Sequence, residues 1–236
     1  MTKGTASAKL PKGYDLAQYP RFEVTVDVVI LTVDDGQLRV LLILRGGKPQ
    51  IGKWALPGGF KTPTETLDQA AARELFEETN VRAPSHLRQL RTYGDPGRDP
   101  RGNVVTVAYI AAVPPLFEVR GGTDARTAES KSVEDVLAGR LPLAFDHRQI
   151  VTDAVDQIRR ELDHSDIALS FIGPTFTLSE LRAVHEAIRS EALDPANFRR
   201  SLLNADPPLI EATGTRGLSG SGGGRPPELF RRAAHM

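Results

Sequence analysis

The first half of the chain alternates apolar runs with polar turns, which predicts strands joined by short connections. Residues 22–33, 38–44 and 104–113 are runs rich in β-branched residues, as is typical of buried strands. The dipeptide Asp35-Gly36 between the first two runs predicts a hairpin turn. A further short strand is predicted at 54–56, directly before a Pro-Gly-Gly turn.

Two segments of this half repeat their apolar residues with helical spacing. Residues 67–79 place Leu67, Ala71, Leu75 and Phe76 on one side of a helix. Residues 145–162 form a second, longer amphipathic pattern. Strands and helices in this order predict a mixed α/β (α+β) domain.

The pattern changes near residue 164. A capping-box pair, Thr177 and Glu180, precedes a periodic helix, and residues 196–203 predict a second helix after a turn. Residues 209–213 and 228–230 predict two short strands around a Gly/Ser-rich segment. This order outlines a winged helix-turn-helix, in which we expect the second helix to pack through Phe198, Leu202 and Leu203.

The chain therefore divides into three predicted parts: an N-terminal arm (1–20), an α/β domain (21–164) and a winged helix-turn-helix domain (165–236). The 30 basic and 30 acidic residues cancel, which excludes a chain that coats nucleic acid by net charge alone. There is no Cys, so disulfides and thiolate chemistry are excluded. No apolar run has the length of a membrane helix and no signal core is present, so we expect a cytoplasmic protein with no membrane partner.

Charge is nevertheless unevenly distributed. From residue 195 onward six Arg face three acids, which gives a local charge of +3. Arg on a short helix and beside a Gly-rich tip favours contacts with phosphates and bases over a merely solvated surface. Three His (147, 164 and 185) border or lie in apolar helical stripes, and we assign them to packing.

The most specific pattern of the chain is an acidic helix. Glu74, Glu77 and Glu78 stand at i, i+3 and i+4, so a helix places all three on one face, where like charges repel. Clustered carboxylates suit hard cations such as Mg²⁺ or Mn²⁺, and Gly59 lets backbone carbonyls approach the same place. A metal ion beside such a loop suits diphosphate chemistry, because it neutralises phosphate oxygens and activates water.

This spacing resembles the Nudix box, the signature of hydrolases that act on nucleoside diphosphates linked to another moiety. The matching residues are Gly59, Glu65, Arg73, Glu74, Leu75, Glu77, Glu78 and Val81. The chain departs from the pattern at Asn80, where the family has the Gly that ends the helix. Asn is the next-best residue for the left-handed conformation, so this departure is compatible with the fold and with metal binding.

The resemblance implies a Nudix α/β/α sandwich and a set of site residues. Glu74 and Glu78 would be the main metal ligands, Glu77 an auxiliary ligand and Arg73 an orienting partner; these four would be catalytic in an active enzyme. Residues 87–102 resemble the substrate loop of ADP-ribose-type members, and we assign ligand binding to Arg45, Arg98 and Arg101.

Two positions depart further from the Nudix pattern. Residues 128–132 stand in a predicted loop where related sequences often carry a Trp. The additional catalytic Glu of a distal loop has no clear counterpart, and Glu129 is the nearest candidate.

The whole chain resembles the NrtR-type regulators, in which a Nudix-related domain is fused to a C-terminal winged helix that controls NAD biosynthesis genes. The segments that carry this resemblance are 176–186, 193–200 and 223–226. The DNA-binding residues that we assign are Thr177, Asn197, Arg199, Arg200, Arg216 and Arg225. Helix-turn-helix proteins read paired half-sites, so we expect a homodimer.

Three functions follow as hypotheses. The first is a transcriptional repressor that binds operator DNA and senses ADP-ribose or a related nucleotide diphosphate. The second is an active Mg²⁺-dependent ADP-ribose pyrophosphatase with an appended DNA-binding domain. The third is an interaction module with a decayed active site. The acidic helix favours the enzyme and the C-terminal segments favour the regulator.

Overall fold

The computed structural model describes residues 13, 15–84, 86–115, 125–162, 164–217 and 226–234. The strands are β1 (Glu23–Asp34), β2 (Gln37–Arg45), β3 (Trp54–Ala55), β4 (Gly58–Phe60), β5 (Arg88–Tyr93), β6 (Val104–Ala112), β7 (Ala125–Ser132), β8 (Ile210–Arg216) and β9 (Glu228–Arg232). The α-helices are α1 (Leu67–Thr79), α2 (Val133–Leu137), α3 (His147–Glu161), α4 (Leu178–Arg189) and α5 (Pro195–Leu203).

Strand β1 is the centre of a mixed seven-stranded sheet. The main strand order is β3-β2-β1-β6-β5, with β4 paired to β1 and β7 to β2. Strands β1 and β6 are parallel, and the other pairs are antiparallel. The predicted hairpin turn between β1 and β2 is confirmed: Asp35 and Gly36 both have positive φ, as a tight two-residue hairpin requires.

Both faces of the sheet are covered, as the predicted sandwich requires. On one face, Val26, Val28 and Ile30 of β1 belong to the same apolar cluster as Leu75 of α1. On the other face, the alternate residues of β1 pack into a cluster with α3 and α4, which includes Ile150. Side chains alternate along a strand, so the continuous apolar run of β1 supplies both clusters.

Helix α1 begins and ends where the sequence predicts. Thr66 caps its N-terminus, with Gln69 completing a capping box. Asn80 ends the helix in the left-handed conformation, with φ 60° and ψ 10°. Asn therefore fills the place of the Gly in the Nudix pattern, as predicted.

Several expectations about the first domain are wrong. Phe76 lies on the exposed side of α1, because the buried stripe runs through Ala70, Ala71, Leu75 and Thr79. Residues 128–132 belong to strand β7, which pairs with β2 and has few apolar residues to signal it. The first part of the expected substrate loop is strand β5, which pairs with β6.

The winged helix-turn-helix is confirmed. Thr177 caps α4 with the predicted capping box, and Asp194 caps α5. Strands β8 and β9 form the two-stranded wing, and Phe176 bridges to Phe230 of β9. Leu202 and Phe198 pack on the core as expected, whereas Leu203 is 45% exposed because it lies on the opposite side of α5.

The two domains share one apolar core. A short 3-10 helix, Ile167–Phe171, joins them and is buried along most of its length. Ile188 of α4 lies in the same cluster as Val29 of the sheet. The guanidinium of Arg159 in α3 donates to the carbonyl of Ile188 at 3.0 Å, and Arg232 forms an ion pair with Asp166. No helix in the described part of the chain is long and apolar enough to span a bilayer.

The left-handed cap at Asn80 predicts a stability difference. Asn80→Ala should lower the free energy of unfolding by about 1 kcal/mol, because a side chain that cannot hydrogen-bond locally is strained in this conformation. Asn80→Gly should change it by only a few tenths of that value. Urea denaturation of the three proteins measures the difference, and equal losses in Ala and Gly would contradict the role of the cap.

Candidate functional site

One guanidinium organises the acidic face of α1. Arg73 forms ion pairs with Glu65 at 2.8 Å, Glu74 at 2.7 Å and Glu77 at 3.1 Å. Its Nη2 also donates to the carbonyl of Phe60 at 3.1 Å. The hydrogen bonds from Arg73 lower the pKa of Glu65 to about 2. Arg73 therefore ties the acidic helix to the end of β4 and offsets the repulsion among the acids.

Two glycines let the backbone approach these acids. Oε2 of Glu78 accepts a hydrogen bond from the amide of Gly58 at 2.8 Å. A Cβ on Gly59 would lie 2.5 Å from Oε1 of Glu74, and a Cβ on Gly58 would lie 2.2 Å from the carbonyl oxygen of Val26. A side chain at either position would therefore collide with a carboxylate or with strand β1.

The partly buried acids Glu74 and Glu78 fit a divalent cation. Burial raises the pKa of Glu78 to about 8, and burial also raises the pKa of Glu74. A cation beside them would favour their ionised forms, and carboxylate oxygens suit Mg²⁺ or Mn²⁺. Glu74 and Glu78 would hold such an ion, which would neutralise phosphate oxygens of a bound diphosphate.

Glu77 does not share this environment. Its exposed side chain pairs with Arg73. Within the described ranges, no group of three or more His, Cys, Asp and Glu side chains is arranged to hold a metal ion.

A small polar cavity opens beside the glycines. Its lining comes from strands of the sheet, the loop after β5 and the start of α3: Thr25, Asp27, Arg45, Leu56, Gly58, Gly59, Arg98, Asp99, Arg101, Phe145 and His147. The three Arg assigned to ligand binding from the sequence therefore line one cavity.

A buried charge network forms the floor of this cavity. Asp27 of β1 lies 3.4 Å from Nε2 of His147 and 3.9 Å from the guanidinium of Arg98. Arg98 in turn donates to both carboxylate oxygens of Asp146, at 2.8 and 2.6 Å. Nδ1 of His147 accepts a hydrogen bond from the amide of Leu56 at 2.8 Å. The network fixes the start of α3 against β1 and against the segment that leads to Gly58.

The three predicted ligand-binding Arg have different surroundings. The Arg98 side chain is only 5% exposed and is neutralised by Asp146. Arg101 makes three hydrogen bonds to the buried carboxylate of Asp99. Arg45 donates to the carbonyl of Pro49, and burial together with the charge of Arg101 lowers its pKa. An anionic ligand beside Arg45 would favour the charged form of its guanidinium.

Sequence reasoning missed several cavity residues. Asp27 had a signal, because a carboxylate within an otherwise apolar strand must find a partner when buried. His147 is packed, as expected, but it also lines the cavity and contacts Asp27. Phe145 of the lining, and Asp146, which accepts hydrogen bonds from Arg98, had no signal in the sequence, since only the fold brings the start of α3 to the cavity. Glu129 lies in β7, is exposed and pairs with Lys131.

The second helix of the winged domain presents polar residues to solvent. Asn197, Arg199 and Arg200 are exposed on α5, and Arg200 donates to the side chain of Asn197 at 3.2 Å. Arg199 lies 3.9 Å from Glu228 of the wing. The hydroxyl of Thr177 is engaged in the capping box of α4.

Two further residues, Arg216 and Arg225, are assigned to DNA from the sequence. Arg216 of β8 donates to the carbonyl of Pro226 at 2.9 Å. Arg225 lies outside the described residues.

Comparisons with known proteins agree with this architecture. The NUDIX domain profile matches residues 21–154, and the profile of the NrtR DNA-binding winged helix domain matches residues 168–232. The ADPR responsive transcriptional repressor NtrR of Acinetobacter baylyi is 35% identical over 222 residues, which are 93% of this chain and 86% of that protein. The chain belongs to the NrtR family.

Solved NrtR structures share the fold. Shewanella oneidensis NrtR in complex with a 27mer DNA has 34% identity and a TM-score of 0.72, over 89% of this chain and 93% of that one. The Nudix domain of the same protein in complex with ADP ribose has 37% identity and a TM-score of 0.56, over 62% of this chain and 94% of that one. Nudix hydrolases as a family generally use divalent metal ions.

The buried imidazole of this NrtR protein predicts a pH dependence. Burial lowers the pKa of His147, so below about pH 6.5 the unfolded chain binds a proton that the folded chain does not. The stability contributed by the neutral ring is present above that pH and is lost as the pH falls. Between pH 7 and pH 5 the wild-type protein should therefore lose more stability than His147→Gln, by up to about 1 kcal/mol per pH unit. Urea denaturation at several pH values tests this, and parallel pH profiles would contradict it.

Proposed function

We propose that this chain is a transcriptional repressor that binds operator DNA through its winged helix and releases it in response to ADP-ribose. The observation that carries the proposal is the docking of an Arg-bearing winged helix onto a Nudix sheet with an Arg-lined cavity, within one apolar core. The repressor function of the Acinetobacter relative, described as ADPR responsive, supports it. We further propose that the regulated genes serve NAD biosynthesis and that the protein acts in the cytoplasm as a homodimer.

The DNA contacts are proposed from exposure and charge. The N-terminal residues of the second helix enter the major groove in this class of domain, and α5 exposes Asn197, Arg199 and Arg200. Asn suits adenine, and Arg suits guanine or a phosphate. Arg216 and Arg225 would make the DNA contacts of the wing, and Thr177 at the start of α4 would contact the DNA phosphate backbone.

The effector site is proposed around the cavity and the acidic helix. Arg45, Arg98 and Arg101 line the cavity, and Arg45 has no acidic partner in an ion pair within the described residues. We assign the diphosphate of ADP-ribose to the edge of the cavity beside Glu74 and Glu78. There Arg45 and a cation held by the two carboxylates would contact the phosphate oxygens. Mg²⁺ or Mn²⁺ is the proposed ion, with Glu77 and the Gly59 carbonyl as auxiliary ligands.

The route from ligand to DNA is proposed along α3. This helix begins at the cavity with Asp146 and His147, and Arg159 near its other end holds the last turn of α4. A ligand changes DNA affinity only if it binds the two states of the protein unequally. We propose that ADP-ribose shifts α3 and so changes the placement of the two winged domains of a dimer, whose half-site spacing the duplex fixes. The segment from residue 163 to Phe176 would accommodate the movement.

A second candidate function is ADP-ribose hydrolysis. The nearly complete acidic motif favours it, because Arg73 holds Glu74 and the amide of Gly58 holds Glu78, both partly buried. Hydrolysis and regulation are compatible in one chain.

Substitutions in α5 test the DNA interface. Arg199→Ala and Arg200→Ala should each weaken operator binding by about 1–3 kcal/mol if the side chain reads a base. If it contacts only phosphate, the loss of affinity should be the same for every DNA sequence. The slope of log affinity against log salt concentration should then become shallower by about one per lost contact. Arg140→Ala, which removes an exposed Arg of the Nudix domain, is the matched control. Electrophoretic mobility shifts with operator DNA measure the affinity. Equal affinities of the wild type and the double variant would refute the assignment.

Effector addition tests the sensor. ADP-ribose should lower operator affinity by a factor of about 5 to 150, the usual range for coupled sites, whereas adenosine without the diphosphate should not. Fluorescence anisotropy with labelled operator measures this at millimolar ligand, with NAD and AMP alongside. Unchanged operator affinity despite confirmed ADP-ribose binding would leave an enzyme with an independent DNA-binding domain.

Glu78→Gln separates the two functions. If the protein hydrolyses ADP-ribose, this variant should lose the activity, because one carboxylate charge at the metal is removed while an acceptor for Gly58 remains. Operator binding should persist, since the change lies in the other domain. Formation of AMP and ribose 5-phosphate from ADP-ribose, measured with Mg²⁺, checks the activity, and turnover equal to the wild type would place any hydrolysis at a different site.

A further inference from the structure

Four side chains form a stack of alternating aromatic rings and guanidinium groups at the rim of the cavity. Cζ of Arg101 lies 4.7 Å from the ring centroid of Phe60 and 5.4 Å from that of Phe145. Cζ of Arg45 lies 4.9 Å from the Phe145 ring. Such contacts orient planar groups over one another. The stack thus spans from the end of β4, through the loop after β5, to the end of β2.

Phe145 is fixed within this stack. Its φ of 49° is in the left-handed region, which a bulky residue adopts only when its surroundings enforce it. Its amide donates to Oε1 of Gln50 at 3.1 Å. Both guanidinium groups contact its ring, so Phe145 is the partly buried anchor of the stack.

Phe60 is the open member of the stack. The residue is 39% exposed, although Arg101 packs on its ring. Its carbonyl is held by Arg73, and Arg101 is held by three hydrogen bonds to the buried Asp99. The ring is therefore held at its backbone and by a guanidinium that is itself anchored. Core packing does not account for an exposed ring at this place.

We propose that Phe60, supported by Arg101, is the stacking platform for the purine base of the nucleotide ligand. This rests on the proposed function, in which the cavity binds ADP-ribose. Aromatic rings and Arg planes are the usual partners of an unpaired base, because every base has a π-face to stack. The same Arg73 that binds the Phe60 carbonyl contacts Glu74, so the platform is rigidly connected to the acids assigned to the diphosphate.

The platform explains how the site distinguishes a nucleotide from a simple diphosphate. Cationic groups and a metal ion recognise phosphate oxygens, which pyrophosphate also carries. Stacking adds affinity only for ligands that bear a base. Phe60 should therefore contribute to the affinity for ADP-ribose and leave the affinity for inorganic pyrophosphate unchanged.

The test compares Phe60→Leu, which keeps an apolar side chain, with Phe60→Trp, which keeps a stacking ring. In calorimetric titrations of the full chain with Mg²⁺, Phe60→Leu should bind ADP-ribose about tenfold more weakly than the wild type and should bind pyrophosphate equally well. Phe60→Trp should stay within about threefold of the wild type for both ligands. Phe76→Leu, which changes an exposed Phe on α1, is the matched control and should behave as the wild type.

Fluorescence provides a second readout that does not depend on the Leu variant. In Phe60→Trp, ADP-ribose should quench the added tryptophan emission and pyrophosphate should not, with the wild-type response of Trp54 subtracted. Unchanged ADP-ribose affinity in Phe60→Leu, equal loss for both ligands, or absence of the quench would overturn the platform and leave the proposed function intact. Failure of the wild type to bind ADP-ribose would overturn the proposed function and the platform together.

Discussion

The requirement to cover strand β1 on both faces governs the architecture of this protein. Nine consecutive residues of β1, from Thr25 to Val33, are buried, so each face of the strand needs an apolar layer. Helix α1 provides one layer, and α3 provides the other together with α4 of the winged helix. Because α4 packs into this layer, the DNA-binding domain is docked on the Nudix sheet.

Burial of β1 also determines the chemistry of the cavity. Asp27 lies in this strand, and a buried carboxylate is costly unless it is paired. His147 and Arg98 surround it, and Arg98 extends the network to Asp146. The charge network thereby positions the first residues of α3 beside the glycines and the acidic helix. Structural pairing and the proposed ligand recognition use the same groups, so a ligand that engaged the Arg side chains would also act on α3.

The acidic helix and the aromatic stack divide the proposed recognition of a nucleotide. Glu74 and Glu78 are partly buried carboxylates suited to a cation beside phosphate oxygens, while Phe60 and Phe145 offer aromatic surface at the rim of the cavity. Arg73 connects the two through Glu74 and the Phe60 carbonyl. In a regulator, such rigidity favours selective binding of one ligand class, because few side chains have to lose conformational freedom when the ligand binds.

The sequence by itself determined the elements with strong local signals. The Asp35-Gly36 turn, the capping boxes at Thr66 and Thr177 and the left-handed Asn80 depend on neighbouring residues, so helix ends and the hairpin follow from the chain alone. The spacing of the three acidic residues likewise predicted a candidate site on one face of α1. The weakly apolar strands β5 and β7 escaped prediction, since long-range pairing with β6 and β2 creates them.

Only the tertiary structure decided which distant residues share the cavity. Asp27, Phe60 and the segment 145–147 are far apart in the chain, and no local pattern predicts that they meet at the cavity and its rim. The same holds for the shared core of the two domains, because the burial of Ile188 against the sheet depends on the docking of α4. Local hydrogen bonds and periodicity depend on residues that are neighbours in the sequence. Contacts between distant segments form only when the sheet has brought those segments together.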